Sequence, residues 1–345
     1  MQLDTKPLID AINRLIEKAD DDLKDSLEAE GYVAASELVK NINKLEDAID
    51  DTLDADSLEF LEKIEAATGV TDFITDIWPG IKDADDLEKA LREIFRKQFD
   101  DMFREFTYQW VLAEDPVLAT EVEEITKPAE AFIQGWSGEL ARIMNLNTKD
   151  AMERLLLKAQ EKKWSIDELS EAIGNSGIRE HGYRSRRVAL TESLRVESYA
   201  QQESMIQNPL AYKKKWKHVM SAHPRENHMA MDGQKVFKRE MFTLTGKNGA
   251  TYMALCPRDT SLPVEETANC HCLMETIADE NALGMTAEER AAARKKYMDE
   301  VNAEYDAWEK KFKEDTGIEE PRDDPSVTWK IYNSYYEAYR KGEIA

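Results

Sequence analysis

The sequence predicts a mainly α-helical protein, built of long helices with a small loop-rich α+β module near residues 208–278. Three observations carry that expectation. Charged residues make up 34% of the 345, a level that suits long solvated helices better than a compact α/β enzyme. Only 14 glycines and 10 prolines punctuate the chain. Apolar residues recur at three- and four-residue intervals through both flanks. With 42% hydrophobic residues the chain has material for two or three domains with real cores.

Taken in order, residues 7–48 read as helix, with Leu8, Ile12, Leu15 and Ile16, then Leu23, Leu27, Leu38, Ile42 and Leu45, on one face and a break at Gly31. Residues 56–67 form a short helix ending near Gly69, and Trp78-Pro79-Gly80 marks a turn. A long amphipathic helix follows over 84–113, its Leu87, Leu91, Phe95, Phe99, Phe103 and Trp110 at core spacing, and Asp115-Pro116 ends it. Two helices are expected over 128–145 and 150–162. Ser165 and Glu168 have the spacing of a capping box for a helix running to Gly174. Residues 183–205 give a further long helix. Asn208-Pro209 then breaks the pattern, a β-prone run occupies 215–220, and Asp232-Gly233 signals a turn. Charged helix returns over 286–314, and a last helix over 326–341 carries Trp329, Tyr332, Tyr336 and Tyr339 on one face. That face reads either as packing on the chain's own core or as a docking stripe for a partner. The organisation that follows is an acidic helical arm (1–147), a middle domain of helices and short strands (148–278), and a charged helix, linker and amphipathic helix (279–345).

The formal net charge is −24 and unevenly spread: residues 1–150 sum to about −21, residues 151–250 to about +6 and residues 251–345 to about −9. Phosphate repels such a chain as a whole, so nucleic-acid contact is confined to the basic middle. Arg184, Arg186 and Arg187, and the run Lys213-Lys214-Lys215 beside Trp216, are the candidates for phosphate or partner contact. The plainer reading makes the arginines helix ion pairs with Glu192 and its neighbours, Trp216 core, and the lysines a solvated strand edge that blocks further pairing. The N-terminus MQLDTKPLID lacks a long apolar run, and no stretch of about 18 apolar residues occurs, so neither signal peptide nor membrane span is expected.

Three cysteines, Cys256, Cys270 and Cys272, are too few and too close for a disulfide framework. In an extended segment Cys270 and Cys272 point the same way while His271 faces the other. Two thiolates aimed at one point, with His228 supplying a nitrogen, make three of the four ligands of a tetrahedral zinc site; His223, Cys256 or a water is the candidate fourth. A loop-rich segment of this size has little core of its own, which a structural metal offsets. The alternative is that the cysteines are small buried residues and His228 a hydrogen-bonded core histidine. No metalloprotease helix motif, P-loop or dinucleotide fingerprint occurs.

The order of motifs in the middle third resembles the head-morphogenesis domain of phage minor head proteins, the Mu F-like and SPP1 minor head protein families. Arg187, Ala189, Thr191 and Glu192 match its helix motif, and Trp216 its lysine-tryptophan strand. Arg225, His228, Asp232, Gly233 and Gln234 match the R-x-x-H-x-x-x-D-G-Q element; Asp259 the P-x-D element; Asn269, Cys270 and Cys272 the N-C-x-C ending. The chain departs from the pattern at Ser221, often Asp in the family; at His271, commonly basic; and at Thr260, where a second proline is usual. The resemblance covers about residues 150–278. It implies a virion protein attached to the portal in few copies, made in the host cytoplasm, acting by binding in head assembly and in DNA packaging or ejection. The portal protein is the implied partner, and the acidic arm suits basic scaffold or major capsid surfaces. Toxin modules occur at chain ends in that family, so a head domain fused to a toxin or nuclease is one alternative; a zinc-binding adaptor is the other.

Overall fold

The computed structural model describes residues 6–118, 124–174, 181–219, 224–280, 282–322 and 326–343. Its elements run α1 (Lys6–Glu30), α2 (Ala35–Glu65), α3 (Val70–Asp72), a π-helical turn (Phe73–Ile77), α4 (Trp78–Asp83), α5 (Asp86–Glu114), α6 (Lys127–Lys162), α7 (Ile166–Gly174) and α8 (His181–Gln207). Then come β1 (Ala211–Lys217), α9 (Glu226–Met229), β2 (Lys235–Phe237), β3 (Phe242–Thr245), β4 (Thr251–Ala254), α10 (Val264–Thr267), β5 (Leu273–Ala278), α11 (Ala287–Thr316) and α12 (Trp329–Arg340). The mainly α class is therefore observed, with its strands confined to the module expected for them.

The helix boundaries follow from local chemistry. Gly31, at φ 103°, closes α1 in a conformation a side chain resists, and its N–H donates back to Leu27 and Glu28. Asp115 ends α5 before Pro116. The capping box forms as expected: Ser165 Oγ accepts from the Glu168 N–H (3.2 Å) and Glu168 Oε2 from the Ser165 N–H (2.7 Å). We expect Ser165→Ala to lower stability by about 1 kcal/mol; an unchanged urea midpoint would contradict that role. One expectation is corrected here. The two helices over 128–145 and 150–162 are a single helix, α6, because Asn145 to Thr148 keep helical bonding and bury Thr148 at its own turn.

Two compact units emerge, and neither is a continuous segment. Unit 1 comprises Met1–Asn43, Met102–Ile125 and Thr191–Asp299; unit 2 comprises Lys44–Asp101, Thr126–Leu190 and Glu300–Ala345. The three consecutive domains read from the sequence do not correspond to these units. The start of the acidic arm belongs with the strand module, a link that composition does not carry.

Unit 2 contains a core of Phe60, Ile64, Phe73, Trp78, Met152, Leu156, Leu169 and Ile173. The Phe60 ring meets Phe73 edge-on at 5.5 Å and Trp78 at 6.1 Å. The aromatic face of α12 also packs within unit 2: Trp308 lies 4.7 Å from Tyr332 and 5.0 Å from Tyr336, and Tyr305 and Tyr332 share a 2.7 Å hydrogen bond. Trp329 seats on Gly135, where a Cβ would stand 2.2 Å from the indole. Core packing, not a docking stripe, is the role of this face.

Unit 1 holds the strands. β1 is the middle strand of an antiparallel sheet ordered β2-β1-β5, and β3-β4 form a separate hairpin. The lysine strand is thus not an edge. Lys214 is fully buried, its ammonium donating to Gln202 Oε1 (2.7 Å) and the Leu255 carbonyl (2.6 Å), so it is withdrawn from any phosphate. Both backbone groups of Met274 bond the Gln201 amide of α8, at 2.8 and 3.2 Å, which covers the outer edge of β5 with a helix side chain.

Candidate metal centre

The centre is assembled by the short α10 and by β5. Asn269 takes a left-handed conformation (φ 51°) that turns the chain out of α10, and Cys270, His271 and Cys272 continue extended into β5. Alternation sends both sulfurs one way. His271 points the other way, where its Nδ1 pairs with Glu30 (2.8 Å), while its carbonyl accepts from Tyr32 Oη (3.1 Å). Opposite the sulfurs, α9 presents His228, and the Arg225 guanidinium that precedes it donates to the Ala268 carbonyl (2.5 Å).

His228, Cys270 and Cys272 are each 2% exposed, and their donor atoms lie within 4.8 Å of one another. His228 Nδ1 is 3.6 Å from Cys270 Sγ and 3.7 Å from Cys272 Sγ. Zinc held tetrahedrally, at about 2.3 Å by sulfur and about 2.0 Å by nitrogen, separates those donors by about 3.6 Å. The cluster fits a metal ion without rearrangement. The thiols favour the same outcome: the Cys272 thiol leans its proton on Cys270, which holds Cys270 well below the ordinary thiol range and Cys272 well above it.

The next shell of contacts fixes the histidine. His228 Nε2 lies 3.0 Å from Glu266 Oε2, leaving Nδ1 to face the sulfurs, the arrangement that orients metal-bound imidazoles. Burial alone would raise the Glu266 carboxyl; the Asn227 amide (2.9 Å), the Lys247 N–H (3.3 Å) and His228 together hold it below its usual range. Trp216 stands edge-on to the His228 ring at 6.2 Å and to Phe242 at 5.2 Å.

Behind the centre sits Arg258, fully buried and left-handed (φ 61°). Nη1 donates to the carbonyls of Cys270 (2.6 Å) and Cys272 (3.1 Å) and to Tyr32 Oη (3.2 Å). Nε donates to the Leu194 carbonyl (2.8 Å) and Nη2 to Ser198 Oγ. Its counter-charge is Glu197, 3.6 Å away, which also accepts from Trp110 Nε1 at 2.8 Å. Burial pushes the Glu197 carboxyl up to about 7 against the pull of Arg258 and Trp110. A second buried pair, Glu192 with Arg195 (2.8 Å), joins the same lattice, since Arg195 donates to the Arg258 carbonyl.

The motif residues converge here in structural roles. Asp259 accepts from the N–H groups of Leu255 (2.6 Å) and Ser261 (2.8 Å), Asp232 from that of His218 (2.8 Å), and Gly233 makes its turn at φ 79°. Thr191 is buried. Of the arginine cluster, Arg186 pairs with Glu46 (2.8 Å) and Arg187 is exposed; the Arg184 side chain lies outside the described residues. Lys213 lies over the Phe237 ring at 4.7 Å, and Lys215 pairs with Glu275.

Of the candidate fourth ligands, His223 lies outside the described residues. Cys256 is fully buried but not part of the cluster; burial, and next the Asp259 charge, push its thiol well up. The residue that touches the cluster is instead His218, whose Nδ1 stands 3.6 Å from Cys272 Sγ. Sequence reasoning missed it, along with Glu266, Glu197 and Arg258. Strand register was the signal: β1 and β5 pair Trp216 with Met274 and Lys217 with Leu273, so the next pair in step is His218 with Cys272.

Two curated proteins are similar to this chain. YqbB of Bacillus subtilis (strain 168), an uncharacterized protein, is 28% identical over 314 residues, which span 85% of this chain and 98% of YqbB. The NAD(+)–arginine ADP-ribosyltransferase EFV of Enterococcus faecalis is 31% identical over 125 residues, 35% of this chain but 23% of the transferase. No protein-family model matches the chain, and no solved structure does.

Proposed function

We propose that this chain is a minor head protein of a tailed bacteriophage. It is bound at the portal vertex of the virion and acts in head assembly and in DNA packaging or ejection by binding rather than turnover. One observation supports this reading most. Motif residues as far apart as Glu192 and Cys272 share one buried lattice, in which Glu192 pairs with Arg195, Arg195 and both cysteine carbonyls bond Arg258, and His228 faces both sulfurs, as suits a scaffold module. The metal in that cluster is a structural zinc, chosen by two sulfurs and an imidazole and by a site walled in from solvent. With Lys214 withdrawn, Arg187 is an exposed cation, among the described residues, that the basic middle offers to phosphate or to a partner. The acidic helices face basic scaffold or capsid surfaces and keep the arm off packaged DNA.

A toxin-bearing reading has the likeness to the transferase in its favour. That match leaves about three quarters of the transferase without a counterpart. Shared scaffold accounts for the likeness more simply than shared catalysis.

Quantitative mass spectrometry of phage particles and procapsids from the source culture tests the proposal. We expect the chain in both, at a few copies per portal ring. Absence from every particle would overturn it, and arginine-dependent NAD+ consumption by the purified chain would install the transferase reading instead.

A further inference from the structure

We infer that His218 is the fourth ligand of the metal centre, making it a closed Cys2His2 site; this deepens, and rests on, the zinc reading above. Three independent features lead to it. Continued one step past its last pair, Lys217 with Leu273, the antiparallel register brings His218 opposite Cys272, beside which its ring stands. The His218 Nδ1 to Cys272 Sγ distance of 3.6 Å matches the 3.6 and 3.7 Å that His228 Nδ1 makes to the two sulfurs, each close to the edge of a tetrahedron drawn around zinc. The His218 backbone N–H is held by Asp232 at 2.8 Å, which fixes the end of β1 and leaves the ring to turn onto the ion.

The consequence is chemical. Three ligands leave a position for water and hence for Lewis-acid chemistry, whereas four close the site and make the ion structural. With His218 included, the metal ties together the end of β1, the helix α9 and the Asn269–Cys272 turn. The Asp232-Gly233 turn takes on a second duty: through the His218 N–H it positions a ligand.

The test uses the full chain, freed of metal and titrated with Co2+ without oxygen. The wild-type chain is expected to take up one equivalent, with intense visible d–d bands and thiolate charge transfer of a four-coordinate S2N2 site. His218→Ala is expected to bind about 100-fold more weakly, since even outer contacts of a metal site are worth about 10–100-fold. Its d–d bands should weaken as water enters, and imidazole should restore them in His218→Gly. Bands and affinity unchanged in His218→Ala would overturn the inference and leave the metal reading intact. Failure of the wild-type chain to take up Co2+ or Zn2+ would instead overturn the metal reading itself. Should His218→Ala not fold, His218→Cys decides: a third thiolate must add charge-transfer intensity, and a spectrum identical to wild type would reject the ligand role.

Discussion

Arg258→Met is expected to destabilise unit 1 by about 3–5 kcal/mol, the cost of removing one partner from a buried ion pair and comparable to much of a domain's stability. The guanidinium is fully buried and binds three carbonyls, two hydroxyls and the Glu197 carboxylate, all of which lose that partner once it is gone. The loss should depend on pH in a defined direction. Glu197 is raised to about 7 by burial, opposed by Arg258 and Trp110. A carboxyl raised on folding contributes stability that is fully present below its unfolded pKa and is lost as pH rises through its folded one. Without Arg258 the folded pKa climbs further, so the window of loss extends to higher pH. Urea titrations of wild type and Arg258→Met should therefore differ least near pH 5, where Glu197 is neutral in both, and most at pH 8. Adding Glu197→Gln should recover the pH-dependent part and leave the share due to the orphaned carbonyls. A deficit equal at the two pH values would mean that Glu197 is not the counter-charge.

The helices were legible because each needs only local information: apolar spacing, the Gly31 break, the Ser165–Glu168 box. What an apolar face meets is not local. The stripe of Trp329, Tyr332 and Tyr336 looks the same whether it covers a partner or, as here, Tyr305, Trp308 and Phe312. The lysine strand shows the same limit. Lys213 to Lys215 suit a solvated edge by composition, yet β1 lies in the middle of its sheet, and Lys214 is tolerated there because Gln202 and the Leu255 carbonyl take its protons.

The metal cluster was half legible. The Cys270–Cys272 spacing specifies a common side in any extended segment, and His228 stood out beside its turn. His218 needed the β1–β5 register, which no local pattern supplies. Arg258 had no signal at all: it sits in a loop, at a left-handed position, where an arginine normally reads as surface. Its neighbour Asp259 was noticed through the resemblance; the residue that binds the cysteine carbonyls was not.

Removing the metal, or the pair Cys270 and Cys272, should have the second large effect. A ligand present at about 1,000 times its dissociation constant stabilises the folded form by about 4 kcal/mol. On a unit of this size that is a shift of roughly 8–16 °C in melting temperature. A chelator should lower the wild-type melt by that order, and Zn2+ should restore it. Cys270→Ser with Cys272→Ser should melt near the chelated wild type and ignore both reagents. Acid should mimic the chelator, because protons compete with the ion for the thiolates and the imidazole. The alternative, that the cysteines only fill space beside a hydrogen-bonded histidine, makes a different forecast: serine at both positions costs a buried hydroxyl or two, and the wild-type melt is indifferent to chelator. The two accounts part on that indifference and not on the size of the mutant's loss, because any change among residues this buried will cost something. A chelator-insensitive wild type would return His228 to the role of a core histidine held by Glu266. A sensitive one would make the ion part of the fold, and the Arg258 lattice behind it the frame that keeps both cysteine carbonyls turned away from the metal.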